Sequence, residues 1–294
     1  MKILVAILHH WNPEGSGRHQ SLRPDPEPRL AALREQILGL SRLGRCQFHF
    51  HLADQAAYAA NHAQRHAIDI HVVTDGKNHL IDDLYPNFRN RIQHVAASPN
   101  DPLLLGFEVH QHLKRQLEQD YDLYAYFEDD LIIHDPYFFI KIARFVDAHG
   151  QNCVLLPQRF ELLPIPSFVD KLYVDGPLAK ADLDPLRLQS EKSITLNDSF
   201  LGEVCFESPS NPHAGCFVLT HSQLQYWASQ DWWLDRDCSF ISPLESAATL
   251  GLVKTFQLYK PTYAHASALE IQHWGAGFLS LMANAKPMMP AEHG

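Results

Sequence analysis

No stretch of this sequence approaches the roughly 20 consecutive apolar residues that span a bilayer. The opening Lys2-Ile3-Leu4-Val5-Ala6-Ile7-Leu8 is apolar but short, lacks a secretory cleavage pattern and runs at once into His9, His10 and Trp11. A soluble, cytoplasmic protein with no transmembrane segment is therefore expected. Cysteine is scarce and odd in number: Cys46, Cys153, Cys205, Cys216 and Cys238 are widely spaced, with no C-x-x-C pair. That favours reduced, mostly buried thiols over a disulfide framework or a cysteine zinc site. Dense Lys/Arg runs are missing too, and the formal net charge is -10, which sets the surface against nucleic acid phosphates. Gly15-Ser16-Gly17 is not followed by Gly-Lys-Ser/Thr, which excludes a P-loop. Internal repeats and low-complexity stretches are absent.

What is present is core-forming material. Of 294 residues, 46% are hydrophobic, enough for one large domain or two intimate ones. The 19 histidines are scattered. His62 and His66 are four apart on an expected helix, as a metal pair or a solvated face.

The first 156 residues alternate strand and helix. Residues 2–8 predict a buried strand. A loop with Pro24, Pro26 and Pro28 leads to a helix whose face is Leu30, Leu33, Ile37, Leu38 and Leu40. Gln47 to Leu52 predicts a strand, alanine-rich 53–64 a helix, Ile68 to Thr74 a strand ending at Asp75-Gly76, and 91–96 a short strand. Asp101-Pro102 and Asp135-Pro136 each predict a capped helix start. Between those helices lies the apolar strand Leu123-Tyr124-Ala125-Tyr126-Phe127, and Cys153 to Leu156 adds another. The expected fold is α/β, a largely parallel or mixed sheet flanked by helices, with residues 1–156 as its regular half. Residues 157–294 form the second half of the same compact domain. It is Pro-punctuated and loop-rich to about 213, then returns to a strand at Ala214–Leu219, a helix near 221–229 and a helix from Ser242. The last 20 residues read as a tail.

The strongest chemical signal is the strand's end, Tyr126-Phe127-Glu128-Asp129-Asp130. Buried carboxylates need a cation or strong donors. Side chains alternate along a strand, so Glu128 and Asp130 point one way and Asp129 the other. Carboxyl ends of strands in open α/β sheets are where ligands bind, and hard oxygen donors suit Mg²⁺ or Mn²⁺ carrying phosphate oxygens.

With this triplet after an apolar strand in an alternating α/β half, the sequence resembles the GT-A (Rossmann-like) glycosyltransferases. Their D-x-D signature reads Glu128-Asp129-Asp130 here. The resemblance covers the first 156 residues and, more loosely, Asn211 to Trp274. It implies transfer of a sugar from a UDP- or GDP-sugar to an acceptor hydroxyl, typically of a carbohydrate, with Mn²⁺ or Mg²⁺ on the diphosphate. It also implies that Asp130 binds the metal, with Glu128 on the metal's shell or the ribose, and that His265 or His273 completes the site. Beside the triplet, His9, Trp11 and Asp75 are candidates for the nucleotide; loop packing and turn chemistry explain them equally. Gly215, in Asn211-Pro212-His213-Ala214-Gly215, permits close approach of a ligand or of packed neighbours. Ser242-Pro243-Leu244-Glu245 matches a capping box, while the family places its general base at such a helix start. Phe168, Tyr173 and Asp198 are candidate acceptor contacts. A nucleotidyltransferase, with Gly15-Ser16-Gly17-Arg18 as a faint glycine-rich loop, and a non-catalytic α/β binding protein are the alternatives.

Overall fold

A computed structural model describes residues 1–14, 20–162, 169–178, 183, 186–188, 191–199 and 201–284. The Gly15–Arg18 segment and Phe168 lie outside them. The main sheet runs β5-β4-β1-β6-β13. It comprises β1 (Lys2–Leu8), β4 (Ala67–Thr74), β5 (Gln93–Ala96), β6 (Leu123–Glu128) and β13 (Cys216–Thr220). The first four are mutually parallel, and β13 pairs antiparallel with β6. β6 is buried from end to end and β1 from Ile3 to Leu8, which explains their unbroken apolar runs. The mixed α/β fold expected from the sequence is the one observed.

Between β1 and β4 lie α1 (Glu27–Gly44) and a hairpin of β2 (Gln47–His51) and β3 (Ala56–Ala60). The hairpin corrects the helix expected over 53–64. That segment carries alanine but no apolar stripe to dock, and a lone helix of that length is marginal; pairing with β2 satisfies its backbone instead. His62 and His66 are consequently not on one helix face: His62 sits in a 3₁₀ turn, and His66 is buried against Phe139. A short α2 (Pro86–Arg89) precedes β5, and α3 (Leu105–Arg115) follows a 3₁₀ turn capped by Asp101. After β6 come β7 (Leu131–Ile132) and α4 (Phe138–His149). Asp135 caps the turn before α4, accepting from Tyr137 N at 2.8 Å.

The second half builds two four-stranded sheets with parts of the first: β10-β9-β15-β7 and β11-β12-β14-β8. Their strands are β8 (Cys153–Leu155), β9 (Gln158–Leu162), β10 (Lys171–Tyr173), β11 (Ser193–Asp198), β12 (Gly202–Glu207), β14 (Gln257–Pro261) and β15 (Glu270–His273). Two helices, α5 (His221–Trp227) and α6 (Pro243–Val253), complete the fold. The two sequence halves therefore interleave, since β13 closes the first-half sheet and β15 pairs with β7. No described helix is long and apolar enough to cross a membrane.

Candidate active site

Strand order reverses between β1 and β6. From β1 the chain steps outward to β4 and β5, then returns to place β6 on β1's other side. A crevice opens outside the carboxyl ends at such a reversal. Here those ends carry His9 and the triplet Glu128-Asp129-Asp130, all buried.

Glu128 is the last residue of β6, and Asp129 and Asp130 lie in the turn after it, where both meet Arg29, so the alternation expected from the sequence does not separate the two aspartates. Asp129 is held by His9 Nδ1 at 2.5 Å and by Arg29 NH1 at 2.5 Å. His9 Nε2 accepts from Leu80 N at 2.9 Å, so its ring proton sits on Nδ1 and is donated to Asp129. His9 thus ties β6 to the loop after β4. Arg29 NH1 also reaches Asp130 Oδ2 at 3.0 Å. Seven residues along α1, or two turns, Gln36 Nε2 donates to Glu128 O at 2.7 Å. One polar line on α1, buried to 2% at Arg29 and 1% at Gln36, therefore grips the strand end. Sequence reasoning missed both. The helix begins at Glu27, ahead of the apolar periodicity that announced it, so Arg29 falls in its first turn. A cation there opposes the helix dipole and calls for a carboxylate partner, which was the available signal.

Glu128 faces the crevice without such a grip. Its Oε1 has no hydrogen-bond partner among the described residues, and His213 Nε2 stands 4.0 Å away. Burial, then repulsion from Asp130, push its carboxyl up to about 8, against the pull of Arg159. Arg159 belongs to a buried network behind it. Asp175 takes Arg159 Nε at 2.9 Å and Lys260 Nζ at 2.8 Å, and Lys260 also donates to His213 O at 2.6 Å. Burial opposes Asp175's charge, but the two cations outweigh it and hold the group well below the usual carboxylate range. Burial and then Arg159 push His213 well down, so its ring is neutral. Gly215 packs against the carboxylate of Glu128 itself, and the backbone there adopts φ +63°.

Above the triplet lies a cavity of about 380 Å³. It is lined by Glu128, Asp129 and Asp130 with Arg29, and also by Leu103, Leu244 and Glu245. Ser242 caps α6 by accepting from Leu244 N, and its hydroxyl also contacts the Glu245 carboxylate. Gly106 lets α3 meet α6 closely, since a Cβ there would lie 2.5 Å from Ala247 Cβ. That approach brings the start of α6 over the triplet.

Pairing of β15 with β7 carries His273 back to the site. Its Nδ1 bonds Glu161 Oε1 at 3.0 Å, and its Nε2 lies 3.8 Å from Asp130 Oδ2. Burial disfavours its charged form, but Asp130 and Glu161 outweigh that and raise its pKa. His265 is placed elsewhere, its Nδ1 accepting from Cys205 N at 3.4 Å beside Thr262 Oγ1. Trp11 packs on the core and donates Nε1 to Arg23 O at 3.2 Å. Asp75 is consumed by its own turn, accepting from Lys77 N at 2.8 Å and Asn78 N at 2.7 Å. Those donors overcome partial burial and depress its pKa. Tyr173 is tied to Glu270 at 2.6 Å and Asp198 to Arg144 at 3.3 Å, and neither lines the cavity.

Among the described residues no three His, Cys, Asp or Glu side chains form a ready metal cage. Mg²⁺ or Mn²⁺ engaged with phosphates needs less: one or two protein ligands, with phosphate oxygens and water filling the rest. Asp130 and Glu128 supply hard oxygens. His273 supplies Nε2 with its other nitrogen held by a carboxylate, the usual support of a metal-bound imidazole. The unpartnered Oε1 of Glu128 leaves one such oxygen available, so the donor set fits a divalent ion.

No protein-family model and no curated protein matches the sequence. Among solved structures the chain is similar to S. aureus TarS, at 12% identity and TM-score 0.42, over 96% of this chain and 38% of that one. It is also similar to TarS 1-349 in complex with UDP-GlcNAc, at 13% identity and TM-score 0.42, over 88% and 56%. A third is GalNAc-T7 with UDP, GalNAc and Mn²⁺, at 8% identity and TM-score 0.46, over 92% and 43%. The chain thus spans between 38% and 56% of the length of these three structures. At such identities function is read from the site's own residues.

Proposed function

We propose that the chain is a glycosyltransferase of the GT-A type, moving a sugar from a nucleoside-diphosphate sugar to a carbohydrate hydroxyl. The observation that carries this reading is one cavity lined both by the carboxylates at and just after the end of β6 and by Glu245 opening α6. The donor's diphosphate would lie at the triplet, where Asp130, Glu128 and His273 would hold a divalent cation, which would supply Lewis-acid stabilisation of the charge on the leaving diphosphate. His9 and Asp129 keep that strand end in place. Glu245 accepts the proton of the attacking hydroxyl. UDP- and GDP-sugars are the donor candidates.

Thermal shift with UDP, GDP and their sugars, with and without Mn²⁺, tests the reading. A ligand of the folded state raises the melting temperature by mass action. One of these nucleotides should do so, and more with Mn²⁺ than with EDTA. A flat response to the whole panel would sink the proposal.

A further inference from the structure

Arg29 bonds two members of the triplet. Its NH1 lies 2.5 Å from Asp129 Oδ1 and 3.0 Å from Asp130 Oδ2, at 2% exposure, and it lines the cavity floor. Its Nε is buried with no hydrogen-bond partner among the described residues. A guanidinium has five N–H donors in a fixed fork, so a donor is left unused beside a cavity large enough for a ligand. The two aspartates hold it unequally. Asp129 is itself clamped by His9, whose other nitrogen is bound to the backbone of Leu80. Asp130 offers Arg29 its Oδ2, the same oxygen that His273 Nε2 approaches to 3.8 Å. Losing Asp130 would therefore leave Arg29 anchored but with its fork open toward the cavity.

We propose that Arg29 is a resident cation that competes with the divalent ion for Asp130, and that the diphosphate of the donor takes up the guanidinium it displaces. The inference rests on the reading, made above, that Asp130 binds a divalent ion. Two positive groups sharing one carboxylate repel each other in this dry site. The ion alone is therefore held weakly, and an anion arriving with it relieves the conflict. A purely structural Arg29 would show neither effect.

The probe is Mn²⁺ alone, titrated into wild type, Arg29→Gln and Arg29→Lys and followed by the electron paramagnetic resonance of the free ion. Circular dichroism checks each fold. Arg29→Gln should bind Mn²⁺ at least tenfold more tightly than wild type, and Arg29→Lys, which keeps the charge, should stay near wild type. With Mn²⁺ saturating in both proteins, calorimetry with UDP or GDP, whichever the panel selects, should show at least tenfold weaker binding to Arg29→Gln. Unchanged or weaker Mn²⁺ affinity in Arg29→Gln, or unchanged nucleotide affinity, overturns the proposal. If Arg29→Gln does not fold, the wild type decides: the Arg29 Nε–H resonance, assigned by its absence in Arg29→Lys, should move on saturation with Mg²⁺ and the same nucleotide, and a stationary signal overturns the proposal. Failure of wild type to take up Mn²⁺ even with nucleotide would remove the metal from the proposed function and this inference with it. Normal uptake without the Arg29→Gln effect removes the inference alone.

Discussion

The carboxylate of Glu128 lies where a side chain at Gly215 would stand: a Cβ built there falls 2.8 Å from Oε2 and 3.1 Å from Cδ of Glu128. Gly215 is also left-handed, at φ +63°. Two penalties therefore meet in Gly215→Ala. The backbone term costs about 1–2 kcal/mol, and Glu128 must move in addition. The matched control is Gly202→Ala, at φ +74° with nothing within 4 Å of the built Cβ. Urea unfolding should show the larger loss at Gly215, and only Gly215→Ala should weaken nucleotide binding. Equal losses and intact binding would show that Glu128 has no need of that space.

The aspartates should separate by role. Asp129 closes a buried pair with Arg29 and accepts the hydrogen bond of His9 Nδ1, so Asp129→Ala leaves both without that partner. Removing one partner of a buried pair costs about 3–5 kcal/mol. Asp130→Ala leaves Arg29 bound to Asp129 and should cost less, while abolishing the Mn²⁺-dependent part of nucleotide binding. Chemical denaturation and the thermal-shift panel on both variants check this. Asp130→Ala being the more destabilising would reverse the assignment.

The raised carboxyl of Glu128 makes a signed pH prediction. An unfolded glutamate titrates near 4.5, the folded one at about 8. Below the lower value both states are protonated. Between the two, the unfolded state alone gives up its proton, so stability falls as pH rises, and above the upper value the loss is complete. Glu128→Gln removes this dependence. It should be no more stable than wild type near pH 4 and clearly more stable above pH 8, in metal-free buffer, by urea unfolding. Parallel stability curves for the two proteins would contradict a buried, proton-holding Glu128.

Glu245 has two jobs to tell apart. Its carboxylate meets the Ser242 hydroxyl at the helix start, and it lines the cavity. Glu245→Gln keeps an acceptor for that hydroxyl and removes the base. With a base at this position, kcat should drop by about 10²–10⁴ with donor affinity unchanged. Ser242→Ala should lose about 1 kcal/mol of stability and keep most of the turnover. Near-normal transfer by Glu245→Gln in a product assay would leave Glu245 as a cap only.

Local pattern in the sequence determined the strands and helices of the first half and the acidic end of β6, because unbroken apolar runs and 3.6-residue spacing report burial directly. It did not set which way Asp129 and Asp130 point, because β6 ends at Glu128 and both aspartates turn onto Arg29. It misread 53–64, where alanine's helix preference had no face to pack and pairing with β2 prevailed. Everything that depends on residues far apart in the chain was left to tertiary structure. Arg29 meets Asp129 across 100 positions, and His273 reaches Asp130 only because β15 pairs with β7. The sequence offered His265 and His273 as equals, and strand pairing separated them. Gly215 was legible as a place for close approach, but its neighbour is the Glu128 carboxylate. Spacing along a chain cannot say which distant carboxylate a buried cation neutralises, because that is set by the order in which strands lie side by side.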